Sequence, residues 1–179
     1  MNVIIRFIDR ISNTFGLIAG FAMIIAVILV LTEVIVRSLF NGTIYITQEY
    51  TGYLMVAITL FGLAYTLKEK GHIRLTFLHK VIKPGKGRAI LEIYAFLCGL
   101  LIFSIITYAT FNFFMGTYEA GTRSMQITKT YLAIPQFAMP LGAFIISLQF
   151  ISEILKSIVQ LKTGEFDRDE DPESEALGR

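Results

Sequence analysis

Four stretches of this chain contain no Asp, Glu, Lys or Arg: Ile11 to Thr32, Tyr50 to Leu67, Ile93 to Tyr118 and Thr130 to Ser152. Each holds at least 18 residues, so as a helix rising ~1.5 Å per residue it covers close to the ~30 Å hydrocarbon core of a bilayer, and flanking turns supply the rest. Every one can span. With 54% hydrophobic and 17% charged residues, the chain is too apolar for a soluble domain of its size. Strands are a poor alternative, because runs such as Ile24 to Leu31 are apolar on both faces and lack the alternation of a barrel wall. An open sheet in lipid would leave backbone groups unpaired, so helices remain. The expected fold is an all-α integral membrane domain over 1–163, with helices near 13–37, 48–68, 89–117 and 131–160.

Orientation follows from the basic residues. With the N-terminus inside, the inner segments hold Arg6, Arg10, Lys68, Lys70, Arg74, Lys80, Lys83, Lys86, Arg88, Lys156 and Lys162, against only Arg37, Arg123 and Lys129 outside. Eleven against three predicts N-in, C-in. The first apolar run is too long for a secretory signal, and Glu33 and Arg37 follow it in place of a small-x-small cleavage site, so it is read as retained.

Two segments outside the helices have their own chemistry. Residues 164–179 hold seven of the fourteen acidic side chains with Pro172 and Gly178, and so predict a disordered acidic tail. Setting it aside leaves fourteen basic against seven acidic side chains, so the formal charge of +2 conceals a membrane part near +7 that suits anionic lipids. Between helices 2 and 3, Ile73, Phe77, Val81 and Ile82 recur at helical spacing with Arg74, Lys80 and Lys83 between them. That predicts a short amphipathic interfacial helix near 73–83, ended by Pro84 and Gly85, that either anchors to lipid or docks a partner.

Nothing in the pattern supports catalysis. The two histidines, His72 and His79, share one loop, Cys98 is alone, and no glycine-rich phosphate loop or nucleophile–base arrangement stands out. No catalytic, substrate-binding or metal-ligating residue, no cofactor and no nucleic-acid partner is expected. The ionisable residues lie near helix ends: Glu33 and Arg37, four apart on one face, at the outer end of helix 1; Glu92 and Glu153 near the inner ends of helices 3 and 4. Pro135 and Pro140 fall in the outer part of helix 4 with no counterpart in helices 1 or 2, so the matched broken helices of a secondary transporter are not evident. Gly16 and Gly20 form a Gly-x-x-x-Gly pair for close helix packing, and Phe111, Phe113, Phe114 and Tyr118 mark the outer end of helix 3. Thr47 is placed to cap helix 2. Glu49, in its first turn, is either a helix-start signal or the partner of a cation, with Arg37 nearest along the chain.

A bundle without a visible site is most easily understood as a subunit. Arg37, then Gln48-Glu49, then Gly62, then Lys70-Gly71-His72-Ile73-Arg74-Leu75 occur in an order that resembles the small membrane subunit of tripartite ATP-independent periplasmic (TRAP) transporters. Gly121-Thr122-Arg123-Ser124, Leu132-Ala133-Ile134-Pro135 and Met139-Pro140-Leu141-Gly142 are similar to the family's third loop and fourth helix. The likeness runs from about residue 15 to 160. One departure is Tyr45 where the family often has Trp; an aromatic anchor survives. The resemblance implies a non-catalytic small permease in a bacterial inner membrane. Its expected partners are a large membrane transport subunit and a periplasmic substrate-binding protein. It also implies sodium-driven uptake of a carboxylate-bearing solute, with sodium coupling in the large subunit. Structural or interface candidates are Glu33, Arg37, Glu49, His72, Arg74, Pro135 and Pro140. Alternatives are an accessory subunit of another membrane complex or a small four-helix exporter, which would want its carboxylate at mid-depth.

Overall fold

The computed structural model describes residues 2–69 and 86–163. Five helices account for its regular structure: α1 Asn2–Phe40, α2 Tyr45–Lys68, α3 Lys86–Glu119, α4 Ala133–Gln136 and α5 Ala138–Thr163. The runs Val3–Phe40, Tyr45–Lys68, Ile90–Glu119 and Ala133–Leu161 are each long and apolar enough to cross a membrane. The interfacial helix expected over 73–83, with His72 and Arg74, and the tail 164–179 lie outside the described residues.

The helices run up and down, so the chain has a termini end and a loop end. Lys68 at the end of α2 meets Asn13 near the start of α1, while Tyr50 at the start of α2 meets Thr130 in the α3–α4 loop. Laterally, α5 packs against α3 on one side and against the α1–α2 hairpin on the other. Its Ile145 and Ile146 are buried with Ala64 of α2, and Phe15, Leu60, Phe103 and Phe150 close around them. The edge contact of Phe15 with Phe61, centroids 4.9 Å apart, ties α1 to α2.

Chain reversals have local causes. After Phe40, Asn41 adopts a left-handed conformation (φ 49°), one of the few non-glycine residues that does so cheaply, and α1 stops. Helix α3 ends in a Schellman motif: Gly121, at φ 61°, donates to Tyr118 O at 3.2 Å, and Thr122 donates to Thr117 O at 3.3 Å. The following loop folds back on itself, with an isolated bridge between Arg123 and Tyr131 and Ser124 N donating to Thr130 O at 2.8 Å.

Several boundaries differ from those expected. Helix α1 begins at Asn2, not near 13, because Arg6, Asp9 and Arg10 are compatible with helix and Asp9 finds partners on α5. Helix α2 begins at Tyr45 and α3 runs over 86–119, a few residues beyond 48 and 89–117. The fourth span is interrupted at Phe137 instead of running unbroken over 131–160. Pro140 has no N–H to return to the Gln136 carbonyl, so the ladder lapses there although Phe137 stays in the right-handed region (φ −58°, ψ −27°). In the first turn of α5 that missing donor costs nothing.

Candidate functional site

Two clusters of buried polar side chains, one at each end of the bundle, are the chemically distinctive features. At the loop end, Glu33 of α1 is almost wholly buried and accepts from two donors: Arg37 Nη2 at 2.8 Å and the backbone N–H of Ile44 at 2.7 Å. Ile44 is the residue before α2 and its side chain cannot cap. Glu33, reaching across from α1, thus takes the N–H that the glutamate of a capping box would take from within the same helix. It fixes the short turn between α1 and α2.

Glu49 does the equivalent for the long α3–α4 loop. Its side chain is buried, and its carboxylate accepts from Tyr53 Oη at 2.6 Å, one turn along α2, and from the Thr128 hydroxyl of the loop. Tyr50 Oη lies 3.3 Å from Thr130 Oγ1, and Tyr131 Oη donates to Tyr118 O at 2.9 Å. The loop is therefore strapped down at both edges. The proposed pairing of Glu49 with Arg37 is not formed: Arg37 bonds Glu33, and hydroxyl donors alone satisfy Glu49. Nor does Thr47 cap α2. The helix has already begun, so the Thr47 hydroxyl points inward, buried and without a hydrogen-bond partner, as do Thr51 Oγ1 and Gln136 Oε1.

At the termini end, α1 and α5 share a denser network. Ser12 Oγ donates to Gln149 Oε1 at 2.6 Å; the Gln149 amide donates to Asp9 at 3.1 Å and to Glu153 at 3.0 Å; Ser152 Oγ donates to Asp9 at 3.3 Å. Lys156 Nζ closes it, 3.0 Å from Asp9 and 2.7 Å from Glu153. Ser12, Gln149 and Ser152 have no exposed surface and Glu153 nearly none. Two carboxylates thus face one ammonium, and the amide and hydroxyl donors between them supply the stabilisation that the second charge lacks.

The packing candidates divide. A Cβ on Gly16 would come within 2.7 Å of the Tyr65 ring, so its lack of a side chain sets the α1–α2 approach; a Cβ on Gly20 would meet nothing within 4 Å. Tighter approaches occur where the Gly-x-x-x-Gly pattern gave no hint: a Cβ on Gly142 would come within 2.6 Å of Leu60, and one on Gly99 within 2.5 Å of Phe150. Pro135 sits within α4 and Pro140 in the first turn of α5, flanking the break. Glu33 and Arg37 stand together, Glu49 stands apart from both, and the network at the termini end is a feature of the structure that the sequence candidates do not include. Its signal was present. Gln149, Ser152, Glu153 and Lys156 share one helix face at i, i+3, i+4 and i+7, and Asp9 and Ser12 share another at i and i+3.

These polar groups tie the chain to itself. Among the described residues, no group of three or more His, Cys, Asp or Glu is arranged to hold a metal ion. A family model for the tripartite ATP-independent periplasmic transporters, DctQ component, matches residues 26–160, which include Glu33, Glu49 and the α5 half of the termini-end network. The chain is also similar to the ectoine TRAP transporter small permease protein TeaB of Halomonas elongata, at 23% identity over 169 residues covering 92% of this chain and 86% of that relative. With most of its length matched and its four spans in place, this chain belongs to the DctQ family, the multi-pass small permease subunits of TRAP transporters.

Proposed function

We propose that this chain is the static member of its transporter. It enlarges and steadies the scaffold against which the large membrane subunit moves solute, and its loop end helps to dock the periplasmic binding protein. The chain lies N-in, C-in in the bacterial inner membrane, and anionic lipids contact its basic termini end. The complex takes up a carboxylate-bearing solute with sodium, whose sites belong to the large subunit.

The observation that carries this reading is the bracing of the α3–α4 loop by Glu49. A loop held at Thr128, Thr130 and Tyr131 is preorganised, and it presents Met125, fully exposed, and Ile127, 69% exposed, with the exposed cations Arg123 and Lys129 beside them. Apolar tips ringed by charge on a fixed loop suit a protein partner with an acidic rim.

The test uses the whole transporter. Expressed alone, this chain supports no sodium-dependent uptake in vesicles, and the large subunit co-purifies when both are made. Met125→Asp with Lys129→Glu leaves that co-purification intact and lowers uptake at limiting binding protein, and excess binding protein restores it. Uptake by the lone chain overturns the scaffold role; unchanged uptake by the double variant at every binding-protein concentration overturns the docking role. Orientation is tested with Thr43→Cys, Thr122→Cys and Gly85→Cys in a Cys98→Ser background. An impermeant thiol reagent labels the first two from outside, and labelling of Gly85→Cys in intact cells reverses the assignment.

A further inference from the structure

We propose that the seam between α1 and α2 at the termini end is a phospholipid site, with one acyl chain lying along Gly16, Gly20 and Ile24 and the phosphate held at Lys68 and Asn13. An open groove of about 490 Å³ runs along this seam, walled by Leu17, Phe21 and Ile24 of α1 and by Tyr65 of α2. It exists because Gly16 lets the Tyr65 ring lie against the α1 backbone and Gly20, one turn further on, leaves the space beside it empty.

One end of the groove is polar and the rest is not. Asn13 opens it, and Lys68 Nζ lies there, 2.7 Å from Asn13 Oδ1 and 5.6 Å from the centroid of the Tyr65 ring. The ammonium also bonds Glu69 at 2.6 Å, with the lysine side chain 19% and the carboxylate side chain 49% exposed. The half-exposed carboxylate is screened by solvent and holds the ammonium only weakly, so a phosphate oxygen competes for the same donor. Asn13 and Glu69 take two of the three ammonium N–H groups, which leaves the third, with the two of the Asn13 amide, to meet phosphate oxygens at the mouth.

Length selects the occupant. From Asn13 to Ile24 the helix advances ~16 Å, close to half of the ~30 Å hydrocarbon core. That is the reach of one leaflet, measured from the boundary where Lys68 ends α2. A helix of a neighbouring subunit crosses both leaflets, whereas the groove is walled only from Asn13 to Ile24. Acyl chains are as apolar as the side chains they touch, so the tail alone gives no preference for this surface. Selectivity comes from filling a concave seam while the headgroup meets donors at the right depth.

The test is native mass spectrometry of the full chain released from micelles without added lipid. The wild type retains one phospholipid mass. Gly20→Leu fills the groove where nothing lies within 4 Å, so it leaves the fold intact and loses the adduct, whereas Gly116→Leu, equally unhindered on α3, keeps it. Lys68→Gln leaves the apolar wall untouched and also loses most of the adduct, which provides a reading independent of groove filling. Absence of lipid on the wild type, or its retention by both Gly20→Leu and Lys68→Gln, overturns the proposal. So does loss of large-subunit co-purification in Gly20→Leu with lipid retention unchanged, which would assign the groove to a partner helix.

Discussion

The spans to which α3 and α5 belong, Ile90–Glu119 and Ala133–Leu161, are of similar length, yet the two helices occupy opposite environments. Over its most apolar 18 residues α3 has no buried residue, while 56% of the residues in the corresponding stretch of the span Ala133–Leu161 are buried. The buried helix is the one rich in polar groups: Ser147, Gln149, Ser152, Glu153 and Ser157 all face inward, while Leu101, Ile102 and Ile105 of α3 face outward. A soluble protein sorts its residues the other way. In lipid an exposed Leu or Ile costs nothing, whereas an unpaired amide or carboxylate costs several kcal/mol, so polar side chains seek one another and the helix carrying most of them becomes the centre.

That contrast can be broken most directly at Lys156. Lys156→Met strands Asp9 and Glu153 beside each other and is expected to cost ~3–5 kcal/mol of stability, read as denaturant or thermal unfolding of the purified chain. Adding Asp9→Asn and Glu153→Gln should recover much of the loss. A Lys156→Met chain as stable as wild type would mean that the cluster is a solvated surface and that α5 is not organised by it. Next in size is Gly142→Leu. A Cβ there meets Leu60 at 2.6 Å, so α5 has to move off α2 at a cost of ~1–3 kcal/mol, whereas Gly116→Leu on α3 should cost almost nothing. Equal melting of the two variants would remove the distinction between the helices.

Glu49→Gln tests whether the loop end depends on the same kind of buried acceptor. The amide retains one acceptor oxygen but loses the charge, so the strap weakens, and hydrogen exchange should quicken from Ser124 to Leu132 while α5 is unaffected. Unchanged exchange in the loop would show that Tyr131 and Thr130 hold it without help. The smallest effect is expected on α3 itself: Ile105→Ala, on the outward face, should alter the stability of the lone chain by no more than ~0.5 kcal/mol. If the same variant reduces co-purification with the large subunit, α3 is part of that interface and its exposure is completed in the complex.

The number of spans, their all-helical character and the candidacy of Glu33 with Arg37 could be read along the chain, because charge-free runs, backbone satisfaction in lipid and i, i+4 spacing are local properties. Membership of the family was legible too, in short motifs whose order survives without their contacts. The partner of Glu49 was not. Arg37 is twelve positions away and Thr128 seventy-nine, and nothing in spacing says that the α3–α4 loop folds over the start of α2. The Asp9–Lys156 network was hidden for the same reason, its halves 147 residues apart. Reading the helix ends as membrane edges made those charges look like boundary markers. A sequence determines which segments enter the bilayer because transfer into lipid is summed residue by residue. Which polar groups then find each other is settled only when the helices pack, since a hydrogen bond across helices depends on rotation and depth that no single segment fixes.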